Sequence, residues 1–222
     1  MGERLKKIRV LIADDHTIVR KGLCSLLEGE NDIGVIGEAR DGREVIRKVG
    51  ELSPDVILLD INMPLLNGIE VARNIKQIHP SMGVIILTMY SDEGYVHEAL
   101  LAGASGYLIK NTIPQDLCSA IRAVSRGESF LSPSISRTVI ERYTKLGTSD
   151  KGELLKNVLT SREREILQLI AEGYTNQEIS ELLFISSKTV EVHKQNIQKK
   201  LNISGTARLT QYAIKKGLIK IE

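Results

Sequence analysis

The sequence predicts an α/β domain built on a doubly wound, five-stranded parallel sheet, followed by an all-α domain of four helices. Three observations predict it. Short apolar runs alternate with amphipathic stretches through the first 126 residues. The alternation stops after Arg126-Gly127. From Leu159 on, apolar residues recur only at helical spacing. At 222 residues the chain exceeds one typical domain and suits two. The expected boundaries are 1–127 for the sheet domain, 128–157 for a linker carrying one helix, and 158–222 for the helical domain.

Taken in order, the expected strands are Ile8–Ala13, Gly34–Ala39, Val56–Asp60, Val84–Thr88 and Gly106–Ile109. Most are continuous β-branched or leucine runs, as in parallel strands buried on both faces. Between them Val19, Leu23, Leu26 and Leu27 share one helix face, and Leu117, Ala120, Ile121 and Val124 share another. Thr112-x-x-Gln115, with Pro114 in the first turn, is a helix start. Connections this short between strand and helix give a doubly wound sheet. Pro133–Leu146 reads as one helix and the polar, glycine-containing stretch Gly147–Asn157 as a flexible linker. Thr160-x-x-Glu163 and Thr175-x-x-Glu178 are capping boxes that open two helices separated at Gly173. Ser186 or Ser187 opens a third helix, and Ala207–Lys216 forms a fourth.

Composition narrows the setting. An apolar share of 42% supplies real cores, yet no run approaches the roughly 18 apolar residues of a membrane span. There is no secretory leader, and Cys24 and Cys118 lack CxxC spacing, so a reduced, cytoplasmic location with no membrane partner is expected. Net charge is +2, unevenly spread: −2 over residues 1–150 and +4 over 151–222. A basic C-terminal part suggests a polyanionic partner there.

The chemistry sits at strand ends. Asp60 closes the apolar run Val56-Ile57-Leu58-Leu59, and Asp14-Asp15 close "IRVLIA". In open α/β sheets ligands bind beyond the carboxyl ends of the strands. Three carboxylates on one rim repel one another unless a hard divalent cation such as Mg²⁺ joins them, and that ion typically adds phosphate oxygens to its shell. Phosphate, Mg²⁺ and a free carboxylate suggest phosphoryl transfer onto aspartate. Thr88 ends the fourth strand, where its hydroxyl can meet a phosphoryl oxygen. Lys110 ends the fifth, where its ammonium can neutralise another. A lone aspartate at a strand end is usually a cap and a lone lysine a solvated charge; here several such groups share one rim. The histidines show no ligand spacing, which argues against zinc.

The ordered set "ADDH", "LLDINMPLLNG", "ILTMYS" and "GYLIK" resembles the receiver domain of bacterial two-component response regulators, over roughly residues 7–126. The resemblance implies a flavodoxin-like fold and an Asp60 that accepts phosphate from a sensor histidine kinase. It implies Mg²⁺ on Asp15, Asp60 and the backbone carbonyl of Asn62, with Asp14 close by or through water. Thr88 and Tyr107 would be the switch pair, Lys110 the phosphate partner, and Asn62 and Tyr90 the positions that tune dephosphorylation. Pro64 and Gly68 shape the loop after Asp60 rather than touch ligand.

In the third C-terminal helix Val190, Ile197 and Leu201 share one face. The other shows Lys188, Thr189, Val192, Gln195, Asn196 and Lys199, and Ser186–Leu201 carries net +3. One apolar and one basic-polar face suit the major groove, although a solvated bundle helix has the same pattern. The segment from "LTSREREIL" to "QNIQKKL" resembles the LuxR-type helix-turn-helix, and the pairing marks the NarL/FixJ class of response regulators. This implies that Lys188, Thr189, Val192, Gln195 and Lys199 face DNA, with His193 and Lys194 near its backbone. One departure is Glu191, where many relatives carry a basic residue; it can accept from cytosine N4 or point away.

The expected function is therefore phosphorylation-dependent DNA binding and transcriptional regulation. The chain would be no enzyme beyond phosphoryl transfer and autodephosphorylation at its own Asp60. Its partners would be a histidine kinase, paired DNA half-sites, a second copy when phosphorylated and, as a further candidate, RNA polymerase. The fourth C-terminal helix, through Leu209, Tyr212, Ala213 and Ile214, is the candidate dimer surface. Two other readings compete with it. A haloacid-dehalogenase-like phosphatase would want a second aspartate two residues after the first, where Asn62 stands. A phosphate-independent regulator would not need the intact rim.

Overall fold

The computed structural model describes residues 7–111, 114–146 and 158–219. The helix start at Thr112 and the linker Gly147–Asn157 lie outside the described residues. The chain divides into two compact units, one containing the sheet and the other the four C-terminal helices.

The first unit runs β1 (Ile8–Ala13), α1 (Thr17–Glu28), β2 (Ile33–Ala39), α2 (Gly42–Leu52), β3 (Val56–Leu59), α3 (Gly68–Ile78), β4 (Gly83–Thr88), α4 (Glu93–Leu101), β5 (Gly106–Ile109), α5 (Pro114–Ser125), β6 (Phe130–Leu131) and α6 (Pro133–Leu146). All pairings are parallel, in the order β2-β1-β3-β4-β5-β6. The sheet therefore has six strands, not five. The extra strand is Phe130–Leu131, which pairs with Gly106–Tyr107 of β5. Two residues are too few to show any periodicity, which is why the sequence hides it.

Alternation along the strands sorts the two faces. Val10, Ile12, Val56, Leu58, Ile85, Leu87 and Leu108 point toward α1 and α5, where Leu27, Leu117, Ile121 and Val124 complete one buried cluster. The intervening Leu11, Ile57, Leu59 and Ile86 are equally buried. On that side α2 packs on β1 and β2, α3 lies against α2, α4 against α3, and α6 against α4. A side chain of this size taken fully out of water stabilises by roughly 1.5–3 kcal/mol. Asp41 and Asn67 cap α2 and α3 by accepting from the backbone amides of Glu44 and Glu70.

The second unit holds α7 (Ser161–Ala171), α8 (Asn176–Leu183), α9 (Ser187–Leu201) and α10 (Thr206–Lys215). Both capping boxes form: Thr160 with Glu163 and Thr175 with Glu178. Ser186 is the N-cap of α9, accepting from the amide of Thr189. Ile166, Leu167, Leu169, Ile170, Ile179, Leu183, Val190, Ile197, Leu209 and Ala213 make a separate core. The last two narrow the expected dimer surface on α10 to Tyr212 and Ile214, both half-buried. α10 spends Leu209 and Ala213 on its own domain, and Tyr212 packs beside them. Apolar positions in a sequence do not say which neighbour they face.

Among the described residues no helix is long and apolar enough to cross a membrane.

Candidate functional site

Strand register builds the acidic rim. β1 and β3 pair Ala13 with Leu59, so the next residues, Asp14 and Asp60, emerge side by side. The Asp60 amide donates to the Ala13 carbonyl (2.9 Å) and the Asp14 amide to Ala39 (3.1 Å). β1 and β3 are also where the strand order reverses, the usual ligand crevice of a doubly wound sheet. On the far side β4 and β5 pair Thr88 with Ile109, and the Lys110 amide donates to the Thr88 carbonyl (2.7 Å).

Two of the carboxylates are buried: Asp14 is 1% exposed and Asp60 5%. The Lys110 ammonium bridges them, with Nζ 2.6 Å from Asp14 Oδ2 and 3.0 Å from Asp60 Oδ2. Burial drives the Asp60 carboxyl up to about 6; Lys110 opposes this and the Asp14 charge adds to it. Burial works to lower the Lys110 ammonium, but the two carboxylates outweigh it and hold it above its ordinary value. Asp15, by contrast, lies on the exposed side of the rim.

His16, to which histidine spacing gave no ligand role, lies at this rim. Its backbone amide donates to Asp14 Oδ1 (2.8 Å), and its Nδ1 lies 2.7 Å from Asp15 Oδ1. One ligand atom from each of Asp14, Asp15, His16 and Asp60 falls within 4.8 Å of the others. Its only sequence signal was its position directly after the two aspartates.

The loop after Asp60 is closed by backbone contact. The Gly68 amide donates to the Ile61 carbonyl (2.8 Å). A Cβ at Gly68 would lie 2.0 Å from the Asp60 carbonyl oxygen, so only glycine fits. The Asn62 Nδ2 amide donates to the Tyr90 hydroxyl (2.8 Å), joining the two residues expected to tune dephosphorylation. Asn62 Oδ1 is buried without a hydrogen-bond partner among the described residues.

Thr88 is fully buried, and its Oγ1 accepts a long bond from the Tyr90 amide (3.4 Å). Tyr107 is also fully buried, its hydroxyl donating to the Tyr90 carbonyl (2.9 Å). Burial, with nearby negative charge, pushes that phenol above its ordinary value. The ring thus lies inward. The Tyr90 ring stacks on Tyr95 of α4, centroids 4.7 Å apart.

In the helical unit, α9 buries Val190 and Ile197 and leaves Lys188, Thr189, Val192, Gln195, Asn196 and Lys199 exposed. His193 and Lys194 are half-buried. Lys200 turns away from that face, its Nζ 2.7 Å from the buried Glu163 carboxylate. Glu191 accepts from Asn176 Nδ2 of α8 at 2.8 Å, an engagement that no local sequence pattern announces.

Comparison with known proteins agrees with this geometry. The family model described as response regulator receiver domain matches residues 10–122, and that of bacterial regulatory proteins, luxR family, matches residues 157–213. The oxygen regulatory protein NreC of Staphylococcus carnosus is 39% identical, with 96% of this chain and 99% of that protein aligned. The transcriptional regulatory protein DegU of Brevibacillus brevis is 36% identical, with 97% of this chain and 96% of that protein aligned. A solved complex of the two-component response regulator RcsB with DNA is 31% identical, covers 93% of this chain and 98% of its own, and has a TM-score of 0.57. A buried acidic rim on a doubly wound sheet and a separately folded helix-turn-helix make this chain a member of the two-component response regulators, a DNA-binding transcription regulator with a receiver domain and a LuxR-type C-terminal domain.

Proposed function

We propose that Asp60 accepts a phosphoryl group from a sensor histidine kinase and that this charge change controls DNA binding by α9. The observation that carries the reading is the Lys110 bridge between two buried carboxylates at the strand-order reversal. An Asp60 oxygen attacks phosphorus, the new P–O bond forms as the donor's P–N bond breaks, and the imidazole leaves. Lys110 stands where it can pair with an oxygen of the arriving group. Thr88 Oγ1, held among the described residues only by the long Tyr90 contact, can turn toward another. That turn loosens the Tyr90 segment, to which Asn62, Tyr107 and α4 are all attached.

The donor set fits Mg²⁺. Clustered carboxylate oxygens suit a hard cation, and the unpaired Asn62 Oδ1 can accept from one of the waters such an ion keeps. Asp15, Asp60 and the Asn62 carbonyl would hold it, with Asp14 through water; when bound it neutralises phosphoryl oxygens.

The regulator acts in the cytoplasm, and its only chemistry is on its own Asp60. One helix-turn-helix reads too few base pairs for a genomic address. The phosphorylated chain therefore binds as a dimer to half-sites about 10 base pairs apart, centre to centre. Labelling with acetyl phosphate and Mg²⁺, followed by Phos-tag electrophoresis and DNA-binding isotherms with and without label, tests this. Label on a residue other than Asp60 overturns the acceptor assignment. Affinity unchanged by label overturns the control. Removing residues 1–147 should leave a folded domain that binds DNA without phosphorylation, because its core is its own.

A further inference from the structure

We infer that Phe184 is a DNA-contacting residue, its ring packing against an apolar group of the duplex beside the groove that α9 enters. The inference rests on the reading of α9 as the DNA-binding helix.

Phe184 is 94% exposed, the most exposed large apolar side chain among the described residues. It occupies the C-cap of α8 with φ 52° and ψ 44°, the left-handed region. Among the described residues of the helical unit the other positive-φ positions are Gly173, Asn202, Gly205 and Gly217. Glycine and asparagine adopt that conformation readily; phenylalanine does not. A bulky aromatic therefore stands, strained and wet, where glycine would serve the helix better. Neither the core nor the cap accounts for it.

Its presentation is fixed. Leu183 before it is buried, and Ile185 after it packs on the core, its amide donating to the Ser180 carbonyl (3.1 Å). Core residues on both sides hold the turn, so the ring cannot fold down onto its own domain. Two residues later Ser186 caps α9. In a helix-turn-helix the N-terminal residues of the second helix contact base edges and the first helix crosses the backbone. The turn joining them lies at the groove wall. Exposed Ser186, Lys188 and Thr189 continue the surface from Phe184 along α9, and Val192, 49% exposed, adds a second apolar side chain to it. A basic face with apolar points suits DNA, whose apolar groups in reach are the thymine methyl and the deoxyribose edge.

The test uses the full-length chain, phosphorylated with acetyl phosphate, and duplexes enriched by it from a randomised library. Phe184→Ala and Phe184→Gly should each weaken binding by about tenfold, the worth of one good base-edge or stacking contact. The slope of log affinity against log salt should not change, because no phosphate contact is lost. Phe184→Gly should melt at an equal or higher temperature than the parent, which separates lost contact from lost fold. Uracil replacing thymine, one position at a time, locates the apolar group. A position where the parent loses affinity and Phe184→Ala does not identifies a thymine methyl; loss without such a position identifies deoxyribose. Binding by both variants within twofold of the parent overturns the inference and leaves the ring to a protein partner. So does a loss that follows the melting temperature. Failure of the underlying reading looks different: Lys188→Ala and Lys199→Ala would then bind as the parent does.

Discussion

The receiver rim and the exposed face of α9 are both charged surfaces, yet they are built in opposite ways. At the rim, Asp14 and Asp60 are withdrawn from water and share one lysine. On α9, Lys188 and Lys199 stand in solvent. Withdrawn charges interact strongly and depend on one another, whereas solvated charges act singly and weakly. The rim is set to respond to one added group. The helix face is set to sum many small contacts along a polyanion. Substitutions should fall in size accordingly.

Asp60→Asn should have the largest effect: no labelling by acetyl phosphate, since the amide is not a competent nucleophile. It should also stabilise the fold. With the Asp60 carboxyl at about 6 in the fold against 3.8 ordinarily, the native state binds more protons than the unfolded chain between those values. Parent stability therefore declines as pH rises from about 4 through 6. The variant lacks this loss and should gain on the order of 3 kcal/mol at pH 8. Denaturant melts at pH 4 and pH 8 check it; a gain equal at both would sink the argument.

Lys110→Met removes the cation and leaves two buried carboxylates facing each other. Breaking a buried pair costs roughly 3–5 kcal/mol. The cost should shrink at pH 5, where a proton can replace the ammonium, and labelling at pH 8 should slow at least about tenfold. Melts and labelling rates at the two pH values measure both. Gly68→Ala should come next. Its Cβ meets the Asp60 carbonyl at 2.0 Å, so the loop must shift and carry the acceptor with it. A loss of roughly 1–3 kcal/mol with slower labelling is expected. Normal labelling at normal stability would show that the loop yields freely.

How legible each region was follows from the same contrast. Asp60, Thr88 and Lys110 could be read because each ends an unbroken apolar run, and a strand end has a known direction. β1 and β3 then bring Asp14 and Asp60 together by register alone. Side-chain choices made across space could not be read. Tyr107 lies inward through a bond to the Tyr90 backbone, and Glu191 is taken by Asn176 from another helix. α10 showed four apolar residues, and only packing reveals that Leu209 and Ala213 belong to the core. Phe184 looked like one more hydrophobic residue in "ELLFIS", and nothing in that pattern says which of them is left in water.

The smallest effects should come from two neighbouring lysines, and they sharpen the comparison within a single helix. Lys199 is exposed on the face opposite Val190 and Ile197, while Lys200 is held 2.7 Å from the buried Glu163 carboxylate. Lys199→Ala should leave stability alone and weaken DNA binding a few-fold. As a phosphate contact, it should also reduce the slope of log affinity against log salt by about one unit. Lys200→Ala should do the reverse. Glu163 also caps α7 through Thr160, and without the ammonium it is left partly unpaired in a buried position, costing about 1 kcal/mol, while the salt slope stays at the parent value. Isotherms at several salt concentrations and denaturant melts on both variants separate the roles. If both lysines change the slope equally, Lys200 leaves Glu163 when DNA arrives, and the division of α9 into a folding side and a binding side fails at its C-terminal end.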